Sequence, residues 1–156
     1  MLNVVLFQPE NPHNTGGIAR TCALLEAKLH LIQPLGFPYP NRDLRRASMD
    51  YIDHVALQLH DSWAAFTATL QPDANLWLFT DAGASDHSSV RYAENDYLVF
   101  GRESDGLPPA ILETHPGVRI PMPGATRQPR ADHRFHSLNV SISVGIALAE
   151  ARRQIA

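Results

Sequence analysis

Asp96-Tyr97-Leu98-Val99-Phe100-Gly101-Arg102-Glu103-Ser104-Asp105-Gly106-Leu107-Pro108 is the stretch that decides the fold class. Tyr97 to Phe100 is a short apolar run without polar alternation, the pattern of a strand covered on both faces. Gly101 ends it, a polar turn follows, and Pro108 with Pro109 suits the first turn of a helix. Strand, glycine-led turn and helix in this order form one unit of an α/β domain.

The same alternation runs outward in both directions. Strands are predicted over Asn3–Phe7, Lys28–Gln33, Val55–Leu59, Asn75–Thr80, Asp96–Phe100 and Val118–Pro121. Helices are predicted over Thr15–Ala27, Asn41–Ile52, Ser62–Leu70, Pro108–Thr114 and from about Asn139 to Gln154. Asn14 is read as the cap of the first helix and Asp61 as the cap of the third. The expectation is a single domain over residues 1–156, with a mainly parallel sheet flanked by helices. Ile18, Cys22, Leu25 and Leu29 form the buried stripe of the first helix, which turns Arg20 away from the core. The last helix is apolar on two sides, with Val140, Val144, Ala147, Leu148, Ala151 and Ile155 on one and Ile142, Ile146 and Ala149 on the other. Such a helix needs a second cover besides its own sheet, and in a chain of 156 residues another subunit can supply it.

Composition narrows the function. With 44% hydrophobic and 19% charged residues the chain reads as an ordinary soluble domain. Met1 runs straight into the first strand with no basic leader, and no apolar run has the length of a membrane span. A cytoplasmic protein without a membrane partner is expected. Cys22 is the only cysteine, which excludes an internal disulfide and a cysteine-based zinc site. His115, His133 and His136 are read as surface histidines, so no metal is expected. A net charge of −3 argues against indiscriminate nucleic-acid binding but leaves room for local patches. One patch sets Arg42, Arg45 and Arg46 against Asp43. The other sets Arg119, Arg127, Arg130 and Arg134 against Asp132.

Ligands of open α/β sheets bind beyond the carboxyl ends of the strands, and three unusual segments follow strands here. Gln8 to Arg20 contains Asn14, Gly16 and Gly17 at a helix start, where open amides suit an anion. It is neither a Walker A loop nor a dinucleotide fingerprint. The second segment, Gly101 to Leu107, carries Glu103 and Asp105 as a possible carboxylate pair, and its glycine permits close approach of a ligand. The third combines the rigid Ile120-Pro121-Met122-Pro123 with Ser137-Leu138-Asn139-Val140-Ser141, which either caps a helix or offers hydrogen bonds to a ligand. Each has a plain structural alternative. Taken alone, the residues also allow a small-molecule nucleotide-binding domain.

Together the three segments resemble the signature motifs of the SPOUT RNA methyltransferases. Asn14-Thr15-Gly16 with Ile18 and Arg20 is similar to the first, Phe100-Gly101 with Glu103 and Gly106-Leu107-Pro108 to the second. Ile120-Pro121-Met122 with Ser137 to Ser141 is similar to the third. Leu35-Gly36-Phe37 and Leu44-Arg45-Arg46-Ala47 with Asp50-Tyr51 resemble the TrmL subgroup, whose members methylate the ribose of the tRNA wobble nucleotide, position 34. The resemblance implies a deep trefoil knot at the C-terminal end, which general folding rules would not suggest. It also implies a homodimer with tRNA as substrate and S-adenosylmethionine as cofactor, its product S-adenosylhomocysteine. Phe79, Thr80, Gly101, Ile120, Met122, Ser137 and Leu138 would contact the cofactor. Arg20, Glu103, Ser137 and Asn139 would serve catalysis. Asn14, Arg20, Arg42, Arg45, Arg46, Arg127 and Arg130 would face RNA. The alternatives left open are ribose methylation at another tRNA or rRNA site, and a knotted RNA-binding protein without catalysis.

Overall fold

The computed structural model describes residues 1–125 and 137–156. Its strands are β1 (Asn3–Phe7), β2 (Lys28–Ile32), β3 (Leu57–His60), β4 (Leu76–Phe79), β5 (Ser85–Asp86), β6 (Tyr97–Phe100) and β7 (Gly117–Arg119). They join one seven-stranded sheet in the order β3-β2-β1-β6-β4-β7-β5. Every pairing is parallel. The helices are α1 (Pro12–Leu24), α2 (Arg42–Ser48), α3 (Trp63–Thr67), α4 (Pro109–Leu112) and α5 (Val140–Ile155).

Strand β1 shows why the sheet is covered on both sides. Leu2, Val4 and Leu6 pack with Ile18, Cys22, Leu98, Val144 and Leu148 under α1 and α5. Val5 and Phe7, pointing the other way, pack with Phe66, Leu78, Val99 and Ile111 under α3 and α4. Cys22 is fully buried, and burial pushes its thiol up to about 12, so it behaves as an apolar side chain.

Several element ends differ from the sequence reading, each for a local reason. Helix α1 starts a turn earlier than Thr15, because Pro12 takes its first position and the Asn11 side chain accepts from the amides of His13 and Asn14. Asn14 is therefore not the cap. The helix stops at Leu24, and Glu26 at φ 52 turns the chain, so Leu29 belongs to β2 instead of the α1 stripe. Helix α2, capped by Asn41, ends at Ser48 because Met49 and Asp50 both take left-handed backbone, and a 3-10 turn covers Tyr51–Asp53. Ser62, not Asp61, caps α3 through the Ala65 amide. Strand β3 begins at Leu57 instead of Val55, and β5 had no apolar pattern to reveal it. Strand β5 exists through tertiary pairing with β7, reinforced by Arg119 donating to Asp86 at 2.8 Å.

Gly16 is required by packing. A Cβ there would lie 2.6 Å from the Leu44 carbonyl and 2.7 Å from the Ala47 Cβ, so α1 and α2 meet nearly backbone to backbone. This glycine serves helix contact and does not open the α1 amides to an anion.

Candidate active site

A cavity of about 670 Å³ opens at the carboxyl ends of β4, β6 and β7. Its floor is apolar. Phe79 and Phe100, in register on adjacent strands, stack at 4.6 Å between ring centroids. Ile120 and Met122 line one wall, and Leu107 and Leu112 add further apolar surface. The rim is polar, with Asn14, Thr80, Glu103, Ser137 and Asn139 among its residues. An apolar floor under a polar rim, at this volume, suits a small molecule that carries both apolar and polar parts.

All seven residues expected to contact a cofactor (Phe79, Thr80, Gly101, Ile120, Met122, Ser137 and Leu138) line this cavity. Glu103, Asn139 and Asn14 line it too. The structure also ties the three segments to one another. The Asn139 side-chain amide donates to Asn14 Oδ1 at 2.9 Å. Asn14 Nδ2 in turn donates to Glu103 Oε1 at 3.4 Å. The Glu103 carboxylate accepts from the backbone amides of Glu10 at 2.9 Å and Asn11 at 3.1 Å. Asn139 is also the cap of α5, its Oδ1 accepting from the amide and hydroxyl of Ser141.

Glu103 and Asp105 do not form a carboxylate pair. Asp105 is held by the Arg102 guanidinium, which keeps its carboxyl below the usual range, while Glu103 is turned the other way onto backbone amides. Arg102 also donates to Gln8 and lies over the Phe7 ring. Neither Arg102 nor the Glu10–Ser104 contact stood out in the sequence. Gly101 has a steric task besides lining the cavity: a Cβ on it would lie 2.1 Å from the Gly106 carbonyl carbon. The turn closes there through paired backbone bonds between Arg102 and Gly106, with Gly106 at φ +72.

Arg20 is exposed and does not line the cavity of its own chain. Its guanidinium meets Met49 Sδ at 3.0 Å and stands 5.7 Å from the Tyr51 ring centroid. Arg45 is held by Asp53, with Asp50 at 3.8 Å, so the exposed cations left in that patch are Arg42 and Arg46. Arg127 and Arg130 lie outside the described residues, as do Arg134, His133 and His136. Among the described residues no group of three or more His, Cys, Asp or Glu could hold a metal ion. No described helix is long and apolar enough to cross a membrane.

The fold and the sequence agree with known proteins. The model of the SpoU rRNA methylase family matches residues 1–149, and the chain belongs to that family. A tRNA (cytidine(34)-2'-O)-methyltransferase of Yersinia pestis is 43% identical to it, over 99% of this chain and 94% of the relative. The enzyme of that name from Escherichia coli K12 is 40% identical over 99% and 94%. A solved structure concerned with 2-OH methylation of C/U34 on tRNA superposes with a TM-score of 0.91, at 47% identity, covering 99% of this chain and 95% of that one. An AdoMet-bound rRNA methyltransferase from Sinorhizobium meliloti gives 0.81 at 27% identity, covering 99% and 57%.

Proposed function

We propose that this protein transfers a methyl group from S-adenosylmethionine to the ribose 2′-hydroxyl of the wobble nucleotide, position 34, of tRNA. The observation that carries the reading is the convergence of three separate segments on one cavity, joined by the Glu103–Asn14–Asn139 chain of hydrogen bonds. The target nucleotide rests on the full-length likeness to the cytidine-34 enzymes.

The residues present fit the cofactor. Its adenine needs an apolar bed with a few polar contacts, and the Phe79–Phe100 floor, Ile120, Met122 and Leu138 offer the bed. Thr80, Gly101 and Ser137 provide the polar side. When bound, S-adenosylmethionine supplies a methyl group on a positively charged sulfur, already an electrophile. The protein's work is alignment and charge. Glu103, with both oxygens engaged by amides and Asn14, organises the rim and is not placed to take a proton. Asn139 fixes Asn14 and the start of α5. A guanidinium is a poor base, so the part of Arg20 is to hold the adjacent phosphate and stabilise charge developing on the ribose oxygen, whose proton leaves to water late in the transfer. Arg42 and Arg46 extend the surface offered to the tRNA backbone, and Arg127 and Arg130 are the other cations assigned to RNA in this reading.

A second copy of the chain belongs to this reading, with the site near the subunit interface. Both helices carry exposed apolar side chains, Ile142 at 54% and Ile146 at 37% on α5 and Leu24 at 58% on α1. By helical spacing Gly17, Arg20, Thr21 and Leu24 share one face of α1, which puts Arg20 on the same side as the exposed Leu24. The knotted C-terminal path and a cytoplasmic location are part of the same proposal.

Ribose methylation mapped by mass spectrometry in tRNA from a strain lacking this protein, beside its parent, tests the function. Loss confined to nucleotide 34 is the expected result. Loss at another site would keep the chemistry and overturn the target, and no loss at all would overturn both.

A further inference from the structure

Glu10 lies outside the cavity, yet its surroundings hold it with unusual care. Gly36 presses on it so closely that a Cβ would come within 2.7 Å of the Glu10 Cα, and the Gly36 amide donates to the Pro9 carbonyl at 2.9 Å. Gln8, two residues earlier, takes left-handed backbone at φ 48. On the opposite side Glu10 Oε1 accepts from the Ser104 amide at 3.0 Å and from the Ser104 hydroxyl at 2.7 Å. The neighbouring Glu103 carboxylate reaches back to the Glu10 and Asn11 amides. Two carboxylates thus cross between the same two loops, each taking donors from the other's strand end. Bringing like charges together is unfavourable, and the four donors offset it only while both loops keep this register.

The crossing is not needed for the shape of the 101–106 turn. That turn is closed by its own backbone bonds between Arg102 and Gly106 and by the Arg102–Asp105 ion pair. What the crossing adds is the position of one loop relative to the other. The Glu10 side begins α1, which carries Asn14 and Arg20; the Ser104 side is the cavity wall.

We propose that Glu10, acting through Ser104, is a positioning residue of the methyl-transfer reaction, fixing the start of α1 against the wall of the cofactor cavity. This rests on the function proposed above. Both bonds fall on one oxygen, so Glu10→Gln keeps the acceptor and loses only the charge.

The test is steady-state kinetics of the full-length protein on tRNA purified from a strain lacking it, together with amide hydrogen exchange. Glu10→Ala lowers kcat about tenfold while the KM for S-adenosylmethionine stays within about threefold, because misplacement penalises the transition state more than the preformed wall. Ser104→Ala, which keeps the amide bond, loses about threefold, and the double variant is no worse than Glu10→Ala alone. Glu10→Gln retains most of the activity. The proposal is overturned if Glu10→Gln falls as far as Glu10→Ala, if the loss lies wholly in the cofactor KM, or if Glu10→Ala matches the parent. Exchange separates this from failure of the function itself. Should the parent protein methylate no tRNA, the functional reading fails. Faster exchange of the Ser104 amide in Glu10→Ala, restored in Glu10→Gln, would still support the clasp, and unchanged exchange would remove it.

Discussion

The chain holds two polar networks of similar make-up, and their settings differ in one respect that decides what each does. At the carboxyl ends of the strands, Glu10, Glu103, Asn14 and Asn139 link three loops around an open cavity. On the α3 face of the sheet, His30 bonds His60 at 2.9 Å and Asn3 at 3.1 Å, sealed among Phe66 and Tyr97. The rim network joins segments that could separate without unfolding the sheet. The interior one joins β1, β2 and β3, whose separation is unfolding. A polar network beside a cavity tunes geometry, and one within a core sets stability and its dependence on protons.

The largest effect expected at the rim belongs to Arg20. Arg20→Ala should lower methyl transfer about a hundredfold or more while cofactor affinity measured by calorimetry stays near the parent value, since Arg20 does not line the cavity. Arg20→Lys should recover little if the fork of the guanidinium holds the phosphate, and much if only charge matters. A parallel fall in cofactor affinity would break the division between rim and cavity drawn here. Next comes Gly101→Val, which drives a side chain into the Gly106 backbone. Loss of cofactor binding by about tenfold or more is expected, with a lowered melting temperature, because the wall must open to make room.

The sheet was legible in the sequence because its strands are apolar on both faces, and Leu98 to Phe100 or Val4 to Leu6 admit few other readings. Helix ends were less so. Asn11 and Asn14 are equally good caps in sequence, and Pro12 decided between them by occupying the first turn. The break after Ser48 depends on two consecutive left-handed residues, Met49 and Asp50, neither of them glycine. At the site, the motif residues were visible as motifs, and Asn14, Gly101, Glu103, Ile120, Met122, Ser137 and Asn139 line one cavity while Arg20 does not. The bonds among them were not visible, since Glu10 and Ser104 are 94 residues apart and lie in separate segments that only the pairing of β1 with β6 brings together. Asn3, His30 and His60 were silent for the same reason: each sits singly in a strand, and only the pairing of β1 with β2 and β2 with β3 brings them together.

The smallest effect expected sharpens the interior half of the comparison. Asn3 Nδ2 donates to the carbonyls of Asn95 and Asp96, which leaves its Oδ1 to accept from His30 Nε2. His30 Nδ1 is then the acceptor for His60 Nε2, and both rings are neutral. Burial, followed by the nearby Lys28 and the His60 ring, lowers His30 to about 3, and burial then Lys28 lower His60 as well. The unfolded chain therefore binds these protons first, near pH 6.5. Their contribution to stability is complete above that value and is lost as pH falls below it, through the range down to the folded pKa. Denaturant unfolding should show a loss of about 1 kcal/mol from His30 between pH 7 and 5.5, with His60 adding in the same direction. Replacing both rings, His30→Leu with His60→Leu, should flatten that slope while leaving cofactor affinity unchanged, because neither ring lines the cavity. A slope that survives the double substitution would move the acid sensitivity elsewhere in the chain. A change in cofactor affinity would mean that the two networks communicate through β1, which supplies Asn3 at one end and leads into Glu10 at the other.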